Sequence, residues 1–194
     1  MNIIIKPLGI ACIVIIVIGL SIAAFRRPQA AVETSGVVAS AAPTAHQILV
    51  APADPAKWTL EAVNGAKATL SKGDGGDTGD LQLSVQKKTG VDWNVTLYRG
   101  GLTFKDGDTV TIRYKARAVP AQTLKIWAAT GGAAGYHEIW KDWGMQVNYT
   151  PQWQDYSFTF KAMKPALNDS RAPVFSMGNG SGTLYLKDVS VEVK

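Results

Sequence analysis

Between Asp108 and Val119 the chain alternates without a break. Thr109, Thr111, Arg113, Lys115 and Arg117 take turns with Val110, Ile112, Tyr114, Ala116 and Ala118. A period of two held over 10 residues is that of a β-strand with one apolar face and one wet face. Val119-Pro120-Ala121-Gln122 then turns the chain. In the strand that follows, Leu124, Ile126 and Ala128 share one side, and Thr123, Lys125 and Trp127 the other. Trp127 thus points away from the core, beside a lysine. On this reading Thr111, Arg113, Lys125 and Trp127 belong to one wet face, the floor of a cleft.

The same signal recurs with turn residues between. Strands are predicted at 58–63, 67–70, 81–85, 93–98, 102–104, 145–149, 154–161, 173–177 and 183–194, separated by Gly- and Asp-rich stretches such as 73–80, 105–108 and 178–182. Residues 131–143 form a long connection and 164–172 a polar loop. No stretch after Pro28 holds a helical period. Many short strands with even turn spacing predict an all-β sandwich of jelly-roll type.

That domain is expected over 54–194. Ahead of it, 28–53 is rich in Ala, Val, Ser, Thr and Pro and reads as a flexible tether. Residues 1–27 hold an apolar helical segment whose run from 8 to 25 is 18 residues long, flanked by Lys6 and by Arg26-Arg27. It is either a secretory signal, with small residues at Ser21-Ile22-Ala23 for cleavage, or an uncleaved transmembrane anchor. In both cases the domain is exported to the envelope or the extracellular space, with a membrane contact if the segment is kept. Cys12 is the only cysteine and lies in the apolar run, so the domain has neither disulfides nor thiol chemistry and rests on its core.

Little in the chain points to catalysis. The two histidines are His46, in the tether, and His137, and no nucleophile–base arrangement has spacing support. Glu61, Glu138 and Asp142 can be nominated as glycosidase acids, yet no pair stands out. From Asp54 onward 17 basic residues face 14 acidic ones, dispersed rather than clustered, which argues against nucleic acid. What stands out is six Trp and six Tyr, all within the expected domain. Most belong in a core. A flat indole outside it offers an apolar platform to the C–H face of a sugar ring, with polar neighbours for the hydroxyls.

An ordered series of pieces resembles the carbohydrate-binding modules of families four and nine. It runs through Trp93-Asn94-Val95-Thr96-Leu97, then Gly101-Leu102-Thr103-Phe104-Lys105-Asp106-Gly107-Asp108-Thr109-Val110, then Tyr114-Lys115-Ala116-Arg117-Ala118. Thr150-Pro151-Gln152-Trp153-Gln154-Asp155-Tyr156 follows, and Phe175-Ser176-Met177-Gly178 with Gly182-Thr183-Leu184-Tyr185-Leu186-Lys187-Asp188-Val189 closes it. The resemblance covers about 54–194 and implies a galactose-binding-like jelly roll. It further implies no catalysis and a concave cleft for β-glucan, xylan or a related polysaccharide.

In similar modules aromatics at the positions of Trp93 and Trp127 flank the sugar. For Trp127 the strand parity agrees. For Trp93 it conflicts, because Trp93 shares parity with Val95 and Leu97 unless the strand starts with a bulge. Tyr98, Arg99 and Lys125 are further candidates, as are Tyr136 and Trp140 in the variable connection. The family also implies a structural calcium, for which Asp188, Glu61 and Asp80 are the nominees. The bland alternative is that Asp188 only begins a turn or caps a bulge. Such modules usually accompany a glycoside hydrolase, for which this chain has no room. The competing expectation is therefore an envelope structural or protein-interaction domain with a degenerate cleft, its aromatics forming an exposed apolar patch.

Overall fold

The computed structural model describes residues 46–51, 53–73, 80–131, 136–163 and 170–194. The apolar segment, Cys12, most of the tether and the loops 74–79 and 164–169 lie outside the described residues. Among the described residues no helix is long and apolar enough to cross a membrane.

The described strands are β1 (Gln47–Ala51), β2 (Thr59–Ala62), β3 (Lys67–Lys72), β4 (Leu81–Lys87), β5 (Val95–Tyr98) and β6 (Thr109–Val119). β7 (Gln122–Thr130), β8 (His137–Glu138), β9 (Met145–Tyr149), β10 (Gln154–Lys161), β11 (Ser170–Ser176) and β12 (Gly182–Val193) follow. They form two six-stranded antiparallel sheets. One has the order β10-β6-β12-β4-β3, with β1 also on β12; the other is β2-β5-β11-β7-β8, with β9 also on β7. The sheets pack as a sandwich, as the strand spacing predicts. β1 is an addition: the expected tether supplies a strand in register with the end of β12, Gln47 opposite Val193. The expected strand at 102–104 is reduced to one bridge, Leu102 to Ser170.

The alternation in β6 holds throughout. Val110, Ile112, Tyr114, Ala116 and Ala118 are all buried, and from the facing sheet come Leu124, Ile126, Ala128 and Phe175. Burying each of the Val, Leu, Ile and Phe side chains among them contributes about 1.5–3 kcal/mol, which suits a domain without disulfides. Tyr114 meets Phe175 edge-on at 5.1 Å, and its hydroxyl shares a 2.7 Å hydrogen bond with that of Tyr149. The stripe Tyr156, Phe158 and Phe160 on β10 also joins this aromatic core, and Trp58 closes against Phe175 at 6.3 Å.

One sequence expectation fails here for a simple reason. β6 and β7 are consecutive but belong to different sheets. Each strand keeps its parity, yet the wet face of β6 and that of β7 are on opposite sides of the sandwich. Thr111 and Arg113 therefore do not share a floor with Lys125 and Trp127. Thr111 bonds Thr159 at 3.0 Å, and Arg113 reaches Glu192 at 3.1 Å.

The carboxylates nominated for calcium are also scattered. Asp188 is the extra residue of a bulge in β12: its φ is 55°, and the register against β6 slips between Lys187 and Ser190. Its side chain meets Lys115 at 3.4 Å on the outer face of the first sheet. Glu61 stands on the outer face of the other sheet, with the sandwich between them. Asp80 is buried ahead of β4, where its backbone carbonyl accepts from Gly73 N–H at 2.9 Å. Among the described residues no group of three or more His, Cys, Asp or Glu is placed to hold a metal ion. These residues do not fit a shared calcium.

Glu192 ties His46, Arg113 and Lys194 together at 3.0, 3.1 and 2.7 Å. Hydrogen bonds, first from Lys194 and then from Arg113, lower its carboxyl from 4.5 to about 2. A depressed carboxylate contributes its stabilisation above the ordinary pKa and loses it as pH falls through the folded value. The melting-temperature gap between the native chain and Glu192→Gln at low salt is thus expected to be full above pH 4.5 and to close towards pH 2. A gap that is constant with pH would refute this role.

Candidate functional site

The outer face of the second sheet is built in rungs. One rung sets Thr59, Tyr98, Val174 and Trp127 side by side across β2, β5, β11 and β7. The next sets Glu61, Thr96, Ser176, Lys125 and Gln146, ending on β9. Apart from Thr59 at its edge, the first rung is aromatic and aliphatic; the second carries hydroxyls, an amide and charge. Tyr98, Val174 and Trp127 of the first rung and Glu61, Thr96, Ser176 and Lys125 of the second line a groove of about 560 Å³, together with its rims.

Trp127 faces outward, as its parity predicts, but it is not wet. It is only 7% exposed. The connection after β7 folds back over it, setting Tyr136 at 6.4 Å and Trp143 at 5.7 Å from its ring. Its indole N–H donates to Ser176 Oγ at 2.6 Å, which fixes the ring in the floor.

Trp93 is the more exposed of the groove's two open aromatics, at 64% against 51% for Tyr136. It sits in a 3-10 turn, Asp92–Asn94, ahead of β5. A turn does not transmit strand parity. Trp93 therefore points outward while Val95 and Leu97 go to the core. The turn is clamped from below: Gly178 N–H donates to Asp92 O at 2.8 Å, and a Cβ on Gly178 would overlap Val91 O and Asp92 O. Trp93 thus stands at the Thr96–Ser176–Lys125 end of the face, and Tyr136 at the other.

At the Tyr136 end a polar cluster forms one wall. Arg171 Nη1 donates to Glu61 Oε1 at 3.1 Å and to Tyr136 Oη at 3.0 Å. The same guanidinium lies over the Tyr98 ring at 4.2 Å. Tyr98 O–H donates to Glu61 at 2.8 Å, and Tyr136 O–H also reaches Glu61, at 3.2 Å. Burial, followed by the Glu61 carboxylate, pushes the Tyr98 phenol up to about 12, so it remains a donor at any ordinary pH.

Of the residues nominated from sequence, Trp127, Trp93, Tyr98, Tyr136 and Lys125 line this groove, and Glu61 joins them as part of its wall. Arg99 does not line it. Trp140 is turned inward: it is buried in the core and stacks on Phe160 at 4.4 Å, with ring planes 6° apart. Three residues later the same connection does place an indole at the rim. Asp142, Trp143 and Gly144 have φ of 59°, 56° and 82° in succession, and this left-handed turn swings Trp143 out over Trp127. Trp143 N–H donates to Glu138 Oε1 at 3.2 Å, which anchors the turn.

Arg171, assigned to a loop from sequence, is a groove residue because of a bulge. Arg171 pairs with Ala129 and Val174 with Trp127, so three steps on β11 match two on β7. The extra residue brings Arg171 to the same face as Val174 despite its opposite parity.

A family model described as a carbohydrate binding domain, that of families 4 and 9, matches residues 53–176. The chain belongs to that family. Solved carbohydrate-binding modules share its fold. A module described under "CBM4 structure and function" has a TM-score of 0.60 and 19% identity, covering 76% of this chain and 95% of its own. The N-terminal cellulose-binding domain of Cellulomonas fimi β-1,4-glucanase C has a TM-score of 0.53 and 23% identity, covering 72% and 90%. The CBM22-1 xylan-binding domain of Paenibacillus barcinonensis Xyn10C has a TM-score of 0.53 and 13% identity, covering 77% and 96%. A search of curated protein sequences finds no match. In this module the groove described above lies on the sheet built from β2, β5, β11 and β7.

Proposed function

We propose that this module holds a polysaccharide of the β-glucan or xylan class in the groove, as an exported binding domain that performs no chemistry of its own. The observation that carries this reading is the exposed Trp93 above a groove floored by Trp127 and walled by Glu61, Arg171 and Tyr136. Trp93 offers a free indole face at one end, Tyr136 is half-exposed at the other, and donors and acceptors sit between them. Sugar rings alternate an apolar face with an equator of hydroxyls, and this is the matching surface. Cellulose- and xylan-binding modules of the same fold support the choice of polymer. The absence of catalysis is supported by how the groove carboxylates are used. Glu61 is tied to Arg171 and Tyr98, and Asp92 accepts the Trp93 backbone N–H at 2.8 Å.

Affinity electrophoresis of residues 46–194 in gels containing soluble β-glucan, xylan or mannan tests the reading. Retardation is expected on glucan or xylan. Unchanged mobility in all three, with a partner protein captured instead at one-to-one stoichiometry, would move the groove to the protein-interaction alternative.

A further inference from the structure

We infer that the groove prefers a polysaccharide bearing carboxylate groups, such as uronic acid branches, and that Lys125 reads them. This rests on the polysaccharide reading above and adds the charge of the ligand to it.

Four charged side chains, two of each sign, line the groove: Glu61, Asp92, Lys125 and Arg171. Three are already engaged. Arg171 and Glu61 neutralise each other at 3.1 Å. Asp92 is turned back onto its own 3-10 turn, accepting Trp93 N–H. Lys125 differs from these. Among the described residues it has no ion-pair partner, although it is partly buried. Its cross-strand neighbours, Ser176 and Gln146, are neutral. Lys125 thus lines the groove on the rung next to that of Trp127 without an ion pair of its own among the described residues.

A ligand hydroxyl returns to such an ammonium about what water gave it. A carboxylate returns a charge-assisted hydrogen bond, roughly twice as strong as a neutral one. The two aromatics on either side fix where a sugar ring lies, and hence which substituent arrives at Lys125. Asp92, at the Trp93 end, is the one charge working against an anion, and its commitment to the turn limits that effect.

The test compares glucuronoxylan with the same polymer after its carboxyls have been reduced to alcohols, by calorimetric titration. The native domain is expected to bind the acidic form about fivefold more tightly, the range of a partly exposed ion pair. That preference should fade between about 0.05 M and about 0.5 M NaCl. Lys125→Gln should bind both forms alike, and Lys125→Arg should keep the preference. Near-ultraviolet dichroism of the variants checks that the floor is unchanged. Equal binding of the two polymers by the native domain overturns the inference and leaves the polysaccharide reading standing. A preference that survives Lys125→Gln overturns the role of Lys125. Binding to neither polymer, with glucan also inert, overturns both.

Discussion

Trp93→Ala is expected to remove retention on the preferred polysaccharide while leaving the melting temperature unchanged. Trp93 is 64% exposed, so its loss opens no cavity, and the 3-10 turn beneath it is held by backbone bonds from Gly178 N–H to Asp92 O and from Asn94 N–H to Val91 O. An exposed aromatic at the mouth of a lined groove is the kind of side chain that dominates binding. Truncation of such an anchor costs about 2 kcal/mol or more, a fall in affinity of about 30-fold. Trp127→Ala is a different experiment. That ring is a structural member of the floor, packed by Tyr136 and Trp143, so its removal is expected to lower stability and binding together. The two variants separate a platform from its support. Full retention by the Trp93→Ala variant would sink the proposed groove.

Gly144→Ala is expected to destabilise the domain by about 3 kcal/mol, read as a lower urea midpoint with an unchanged slope. Two causes add. The Gly144 backbone has φ 82° and ψ −144°, a region that essentially only glycine occupies. A Cβ there would also lie 2.6 Å from Trp127 Cα and overlap Ile126 O, since Gly144 lies against β7 at the point where Trp127 projects. Relief requires moving the turn that carries Trp143, so the fraction that stays folded should also bind more weakly. An unchanged midpoint would mean that the turn yields freely, and would refute the account of how Trp143 is positioned.

The sequence makes some of this plain and hides the rest for physical reasons. Alternation reports which side of its own strand a residue takes. It therefore predicts the core face of β6 and the outward turn of Trp127. It carries no information on which sheet a strand joins, and so Arg113 and Lys125, alike in parity, finish on opposite sides of the sandwich. Parity also ends where the strand ends. Trp93 shares the parity of Val95 and Leu97 but precedes the strand, and the 3-10 turn resets its direction. Trp140 and Trp143 have no period to compare. Three consecutive positive φ angles send the second indole outward while the first goes to the core. Arg171 is hidden by the bulge that follows it, which no composition of the segment announces. The resemblance to the binding modules pointed to Trp93 and Trp127, which line the groove, and gave no reason to expect Arg171 beside Glu61 and Tyr136.

That bulge separates two ways in which such a groove can change. Substitution alters one side chain and leaves its neighbours facing as they did. The extra residue between Arg171 and Val174 acts on phase instead: its deletion would turn Arg171 away from Glu61 and Tyr136 while leaving Val174 and Ser176 in register with β7. A one-residue insertion or deletion here is thus a switch for an entire wall. The charge at this end of the groove can thus change without any change to the residues of its floor.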